Sequence, residues 1–282
     1  GENEPAEVES GGDDLVFGME RSNVLTVLVV LSLFALWELM ARVGYEDLSL
    51  IFPTLAEIGH ELAWLFTGGI IYYHFAVTLQ EVVIAFLLAA VVGVLFGTAL
   101  GSNEFLASGV EPFIYYVSTI PKLLLYPLMI LVLGLGVESK IAMGFFSAIF
   151  PITVNTITGA LNVRQNLVKV PQSYGASSWT VFKTVYVPSM VTHIINGFRI
   201  GGGVVIIGVI LGEHYASSTG GLGVIVLRFF TELNLARMYA VLIVIFAFSL
   251  AVNRGLLRIQ QRLAKEGYGT GRGRDEGEGY GF

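Results

Sequence analysis

The sequence lacks cysteine and has few charged residues. None of its 282 residues is Cys, and Asp, Glu, Lys and Arg together make up only 13%. The missing cysteine excludes disulfides, zinc–thiolate sites and thiol chemistry. Soluble domains have about 25% charged and about 45–50% apolar residues, whereas this chain is 54% hydrophobic with a mean hydropathy of +0.73. The composition therefore argues against a water-soluble enzyme.

The motifs of nucleotide and metal sites are also missing. No G-x-x-x-x-G-K-[ST] loop is present, because Lys183-Thr184 follows Phe182 rather than glycine. The histidines form no i, i+4 pair and no Ser–His–Asp arrangement. They are scattered along the chain as His60, His74, His193 and His214. We predict no catalytic residue, no metal site and no cofactor bound by this chain, so any ATP hydrolysis requires a separate subunit.

Both ends of the sequence are polar. Residues 1–20 contain seven acids and no base, and glycine fills seven of the seventeen positions in 266–282. Such compositions bury too little apolar surface to fold, so we predict that both tails are disordered. The remaining domain, 21–265, is apolar and mildly basic.

Six hydrophobic runs lie between the tails, at 23–43, 77–100, 120–135, 141–161, 188–211 and 238–257. A transmembrane helix needs about 20 apolar residues. The third run is shorter and contains Pro127, and the second has Gly93 and Gly97 at the spacing that lets helices approach closely in lipid. A soluble core could explain one or two such runs but not six. We predict an all-α, polytopic membrane protein with about six transmembrane helices.

The positive charges predict the orientation, because cytoplasmic loops are rich in Lys and Arg. With six crossings and a cytoplasmic N terminus, eleven of these residues lie inside and four outside. The inner set is Arg21, Lys122, Arg164, Lys169, Lys183, Arg254, Arg258, Arg262, Lys265, Arg272 and Arg274. The outer set is Arg42, Lys140, Arg228 and Arg237. Both termini are therefore predicted to be cytoplasmic.

Two connections are too long for simple turns, and the first spans 44–75. Thr54 and Glu57 have capping-box spacing at the start of a predicted helix. Its apolar stripe is Ile58, Leu62 and Leu65. We predict that this stripe lies in the membrane interface.

The second long connection, 162–187, reads NVRQNLVKVPQSYGASSWTVFKTVYV. Its pattern predicts a short helix that starts with Pro171 at position N1 and ends before Gly175 at C′. Ser177 or Ser178 would cap a second helix. The apolar face of that helix is Trp179, Phe182, Val185 and Tyr186. These helices would form either a knob for a cytosolic partner or a loop packed on the protein's own helices.

Tyr174-Gly175-Ala176-Ser177, the aromatic helix after it and Val187-Pro188 resemble the EAA loop of binding-protein-dependent ABC importer permeases. Other segments resemble the same family at Phe52-Pro53-Thr54, Ile120-Pro121 with Gly134-Leu135-Gly136, Phe150-Pro151-Ile152 with Asn155-Thr156, Gly197-Phe198-Arg199 with Glu213, and 217–223. The resemblance covers roughly residues 23–265 and is greatest to the nitrate/sulfonate/taurine subgroup.

This resemblance implies a MetI-like ABC permease fold in a prokaryotic cytoplasmic membrane. It implies a homodimer of this chain, a cytosolic ABC ATPase dimer that uses ATP and Mg, and an external substrate-binding protein, with no nucleic-acid partner. The solute would be a sulfonate such as taurine, or a nitrate-like anion, imported by alternating access.

The resemblance also implies that the loop docks into a groove of the ATPase. The coupling residues would be Lys169, Val170, Pro171, Tyr174, Gly175, Ala176, Ser177, Trp179, Phe182 and Pro188. The family's Glu-Ala-Ala is replaced by Lys169-Val170-Pro171. Because Lys169 carries the opposite charge, we expect a compensating acidic residue in the partner groove.

Asn155, Arg199 and Glu213 are the candidates for the translocation path or its gate, since polar groups in membrane helices are costly and tend to be functional. Arg199 would either attract an anion or cap a helix end near the headgroups. A stand-alone secondary carrier or channel is the alternative function. Such proteins commonly show internal repeats and charged midplane sites, and this sequence shows no convincing repeat.

Overall fold

The computed structural model describes residues 15–16, 19–43, 51–163, 165–216 and 220–263. Within the predicted N-terminal tail, β1 (Leu15–Val16) pairs antiparallel with β2 (Met19–Glu20). The rest of that tail, the predicted tail at 266–282, Arg164, Lys265 and positions 217–219 lie outside the described residues.

The helices, numbered along the chain, are α1 (Arg21–Val43), α2 (Leu55–Thr67), α3 (Ile70–Gly101), α4 (Glu104–Thr119), α5 (Tyr126–Leu133), α6 (Val137–Leu161), α7 (Gln165–Ser173), α8 (Ser178–Val181), α9 (Val187–Tyr215), α10 (Leu222–Thr231) and α11 (Leu235–Leu263). A 3₁₀ turn, Lys122–Leu125, precedes α5, and a π turn, Phe182–Tyr186, joins α8 to α9. Five helical segments are long and apolar enough to cross a membrane: α1, α3, α6, Ser178–Tyr215 and α11. They confirm five of the predicted runs.

The third crossing is broken, so the prediction of one helix over 120–135 is wrong. Helix α4 and the segment Lys122–Leu133 meet at an angle of 82°. The side chain of Asn103 caps α4, and Pro121 ends it because the residue before proline disfavours the helical conformation. Pro127 lies at the start of α5, where its missing N–H costs nothing. The bent pair provides the sixth possible span.

Helix α6 lies at the centre of the bundle between α3 and α9. A Cβ added to Gly93 would come within 2.8 Å of the Ile152 side chain, and one added to Gly201 would come equally close. Gly97 contacts Thr156 in the same way. The predicted close approach of α3 is therefore confirmed, and α6 is the helix that it approaches.

Helix α2 begins with the predicted capping box. The Thr54 side chain accepts from the Glu57 N–H, and the Glu57 carboxylate accepts from the Thr54 N–H. Its apolar stripe, however, is buried against α10 and α11, where Ile58 and Leu65 join one cluster with Val241. The prediction that this stripe lies in the membrane interface is wrong, because the protein supplies its own apolar surface there.

Candidate coupling segment and translocation groove

Residues 165–186, which we call the coupling segment, connect α6 to α9 at one end of the bundle. Pro171 lies inside α7, so its predicted place at N1 is wrong. The end of α7 is a Schellman turn, in which Gly175 N–H donates to Gln172 O at 3.0 Å and Ala176 N–H donates to Pro171 O at 3.0 Å. Gly175 has a φ of 78°, a left-handed conformation that glycine adopts freely. The predicted C′ role of Gly175 is therefore confirmed.

The second half of the coupling segment is continuous with a membrane helix. Ser177 caps α8 by accepting from the Thr180 N–H at 3.2 Å. Helix α8, the π turn and α9 then form one helical segment, Ser178–Tyr215. Pro188 lies in the first turn of α9. The predicted separate second helix is therefore wrong, because no residue breaks the chain direction between Ser178 and Pro188.

The aromatic rings of the coupling segment form a stack. Trp179 and Phe182 lie 5.6 Å apart and Phe182 and Tyr186 lie 6.5 Å apart, both with nearly parallel planes. Trp179 is 70% exposed and Tyr174 is 89% exposed. Lys169, Val170 and Ser177 are also exposed.

The opposite side of the same segment packs on the protein. Val181 is buried in a cluster with Val163, Val168 and Met190, against which Ala176 and Tyr186 also pack. The interpretation of the connection as a loop packed on the protein's own helices is therefore confirmed for the inner side, and the outer side presents large aromatic surface.

A polar network joins two of the predicted path residues. Asn196 Nδ2 donates to Asn155 Oδ1 at 2.9 Å, and Arg199 donates to Asn196 Oδ1 at 3.3 Å. These three side chains are half-buried between α6 and α9. The network leaves out the third predicted residue, Glu213, which lies near the other end of α9.

A groove of about 620 Å³ opens between the bent pair, α6 and α9. It is lined by Tyr115, Ser118, Thr119, Ile120, Pro121, Lys122, Leu123, Met143, Ser147, Phe150, Pro151, Val154, Ile200, Val204, Ile207, Gly208 and Leu211. Asn155 and Arg199 are not in this lining, although they neighbour Val154 and Ile200 in sequence. The groove is the best candidate for a solute path because it lies along the two central helices.

Lys122 lies within this groove. Its Nζ donates to Ser118 O at 2.9 Å and lies 5.6 Å from the centre of the Phe150 ring. Phe150 is midway along α6. The assignment of Lys122 to a cytoplasmic loop is therefore wrong. Lys122 lies at the start of the apolar run 120–135, a position that predicts the loop end of a crossing. The 82° bend instead places Lys122 inside the bundle.

Three charged side chains are buried at the end of the bundle opposite the coupling segment. Glu81, Lys140 and Glu213 are at most 1% exposed. Lys140 Nζ pairs with Glu81 Oε1 at 3.3 Å, and Glu213 accepts from Thr78 Oγ1 at 2.6 Å. We call Glu81, Lys140 and Glu213 the buried charge cluster. Sequence reasoning placed Lys140 in an outer loop, which is wrong because α6 begins before it.

The buried charge cluster holds the chain that leads into α10. Lys140 Nζ donates to Gly220 O at 2.8 Å, and Glu213 Oε2 accepts from Gly223 N–H at 2.7 Å. Leu222 N–H donates to Thr78 Oγ1 at 2.8 Å. Glu213, a candidate for the translocation path or its gate, is thus held by internal hydrogen bonds. Among the described residues, no group of three His, Cys, Asp or Glu side chains could hold a metal ion.

Comparison with known proteins identifies the family. The family described as the inner membrane component of binding-protein-dependent transport systems matches residues 89–265. The chain belongs to this family. It is therefore the membrane permease subunit of an ABC importer and not its catalytic subunit, and the family implies an ATPase and a substrate-binding protein as partners. The multi-pass inner-membrane location follows from the same match.

The relatives are named as permeases for several different solutes. The chain is 29% identical over 202 residues to the taurine transport system permease protein of Escherichia coli, covering 70% of this chain and 72% of that protein. It is 28% identical to the formylaminopyrimidine transport permease protein of Halalkalibacterium halodurans, covering 73% and 81%. It is 31% identical to the nitrate import permease protein of Synechococcus elongatus, covering 52% of each chain.

Proposed function

We propose that two copies of this chain form the path through which an ABC importer takes up a small anion, a sulfonate such as taurine or a nitrate-like ion. The observation that supports this most is the continuous helical segment Ser178–Tyr215. It carries exposed Trp179 at one end, lines the groove with Ile200 and Val204 in its middle, and reaches the buried charge cluster at Glu213.

In this proposal, the exposed side of the coupling segment docks into the ATPase. The docking contacts come from Lys169, Val170, Tyr174 and Trp179, whose side chains are exposed. ATP and Mg belong to the ATPase, and this chain binds no cofactor. When the ATPase pair closes, its movement is transmitted along the helical segment Ser178–Tyr215, because the π turn joins α8 to α9 without interrupting the helix. Alternating access then follows from two packings of the same helices.

A second copy completes the path. The groove is open on one side, and its rim carries apolar side chains such as Tyr115, Ile200 and Ile207 that are 41–61% exposed. Apolar rims of this kind suit contact with an identical subunit around a twofold axis. The two half-grooves would then enclose one path, with both termini and both coupling segments on the cytoplasmic side.

The positive charges of the coupling end support this orientation. Lys169 and Lys183 lie in the coupling segment, and Arg254, Arg258 and Arg262 lie in the last turns of α11. Cytoplasmic faces are enriched in such residues. Proteolysis of sealed inside-out vesicles tests the orientation, because cleavage within the coupling segment is expected there and not in right-side-out vesicles.

The experiment for the function itself is uptake by proteoliposomes containing the permease, its ATPase and its binding protein. We expect taurine or nitrate to enter only when ATP is present on the ATPase side. The control omits the ATPase. Uptake that persists without ATP and ATPase would contradict the proposal and favour the secondary carrier or channel.

A further inference from the structure

We propose that Lys122 forms an anion-binding site halfway across the membrane, where it contacts the solute during its passage through the groove. The inference rests on the proposed function, because it names the side chain that recognises the transported anion. It concerns a residue outside the coupling segment and outside the buried charge cluster.

The position of Lys122 follows from the bend of the third crossing. Helix α4 ends at Thr119, and the 82° turn carries Lys122 against the centre of the bundle. Its ammonium lies over Phe150, which is near the middle of α6. The same groove is lined by Ile200 and Val204, which come from the middle of α9. Lys122 is therefore far from both ends of these two helices.

Among the described residues that line the groove, Lys122 carries the one formal charge. It takes part in none of the ion pairs found in the described part of the chain. An ionisable side chain inside a membrane is costly and faces a water-filled cavity or a partner. A groove that carries an uncompensated ammonium attracts anions and repels cations.

The serine and threonine hydroxyl groups that line the groove have their protons engaged by the backbone. Ser118 Oγ donates to Tyr115 O, Thr119 Oγ1 donates to Tyr116 O, and Ser147 Oγ donates to Met143 O. An ammonium has three N–H donors, and Lys122 uses one of them on Ser118 O. Among the described residues of this lining, Lys122 is therefore the group that can offer charge-assisted hydrogen bonds to an oxyanion.

Arg199, for which the sequence left anion attraction open as one of two roles, is placed differently. Its guanidinium bonds to Asn196, and it is not among the groove-lining residues. Lys122 therefore fits a sulfonate or nitrate better, since it combines a positive charge with open access to the groove.

The absence of cysteine from this chain allows a direct test of the charge. In Lys122→Cys, the new thiol is the only one among the 282 residues of each copy. Modification with aminoethyl methanethiosulfonate restores an ammonium at nearly the length of lysine. Methyl methanethiosulfonate adds a neutral group, and sulfonatoethyl methanethiosulfonate adds a negative charge. The wild-type complex treated with the same reagents controls for reaction with partner subunits, and Arg228→Cys controls for loss and modification of a positive charge outside the groove.

We expect unmodified Lys122→Cys to take up taurine or nitrate about tenfold more slowly at low solute concentration, as for loss of one charge-assisted hydrogen bond. The aminoethyl adduct should recover most of the uptake, whereas the neutral and sulfonate adducts should not. Lys122→Arg should retain the preference for anions, and Arg228→Cys should resemble wild type with every reagent. Equal uptake by all three adducts, or wild-type uptake by unmodified Lys122→Cys, would overturn the proposal.

A second measurement uses the permease alone and does not depend on transport. We expect nitrate or methanesulfonate to raise the melting temperature of the purified wild-type chain more than that of Lys122→Met, with gluconate at equal ionic strength as the control. Equal shifts for both proteins overturn the anion site even if ATP-driven uptake is observed. Conversely, absence of ATP-dependent uptake in the wild type contradicts the proposed function, while a larger shift in wild type still supports the site.

Discussion

The two ends of the helix bundle differ in which side chains they expose and which they bury. At the coupling end, Tyr174 and Trp179 are 89% and 70% exposed. At the other end, Glu81, Lys140 and Glu213 are charged or ionisable and are at most 1% exposed. Apolar rings are thus at the surface and ionisable groups are inside, the reverse of what each prefers in an isolated soluble chain.

The difference indicates where each end finds its binding partners. Two members of the buried charge cluster, Lys140 and Glu213, bond to Thr78 and to the backbone of Gly220 and Gly223, and Glu81 pairs with Lys140. Tyr174 and Trp179 of the coupling segment are instead mostly exposed, and in the proposed complex they contact the ATPase. We therefore expect mutations in the cluster to change stability, and mutations on the exposed coupling surface to change communication with the ATPase.

The largest effect on stability is expected for Lys140→Met. Removing one member of a buried ion pair leaves the remaining charge uncompensated and costs about 3–5 kcal/mol. Here the buried Glu81 carboxylate would lose the ammonium that lies 3.3 Å from it. Unfolding of the purified permease in mixed micelles measures the change.

The matched control is Arg228→Met, which breaks the exposed Arg228–Glu232 pair. Exposed pairs of this kind contribute less than about 1 kcal/mol. Adding Glu81→Gln to Lys140→Met should recover part of the loss. If Lys140→Met and Arg228→Met were equally stable, the cluster would not be the stabilising feature of this end.

An intermediate effect is expected for Gly175→Val at the coupling end. A left-handed backbone costs a residue with a side chain about 1–2 kcal/mol, and no atom lies within 4 Å of an added Cβ, so the cost is conformational. The altered turn would misplace Tyr174 and uncouple solute-stimulated ATPase activity from transport. Gly175→Asn is the control, because asparagine tolerates this conformation. Normal stimulated ATPase activity in the Gly175→Val complex would refute the role of the turn.

The smallest effect on stability is expected for Trp179→Ala. Surface substitutions away from special features usually change stability by less than about 0.5 kcal/mol, and Trp179 is mostly exposed. Coupling should nevertheless fall, because the docking surface loses its largest ring. Val181→Ala, on the buried side of the same helix, should instead lower the melting temperature. A Trp179→Ala complex with wild-type ATPase stimulation would show that the exposed ring is not a docking contact.

Local signals predicted several features correctly. The capping box at Thr54, the turn at Gly175 and the cap at Ser177 each depend on residues within a few positions, so the sequence contains the whole interaction. The five long spans were equally predictable, since their apolar composition alone favours insertion into a membrane. The broken third crossing was not, because α4 begins at Glu104 and its polar start lies outside the apolar run that was read as the helix.

By itself, the sequence determined the membrane class of this protein, its long helices and the turn chemistry of its coupling segment, because hydropathy and capping act over short stretches of chain. Only the tertiary structure decided what the charges do. The Glu81–Lys140 pair joins residues on different helices, and Lys122 reaches the centre of the bundle through a sharp bend. The function of a charge depends on its neighbours in space, and in this chain those neighbours come from distant helices.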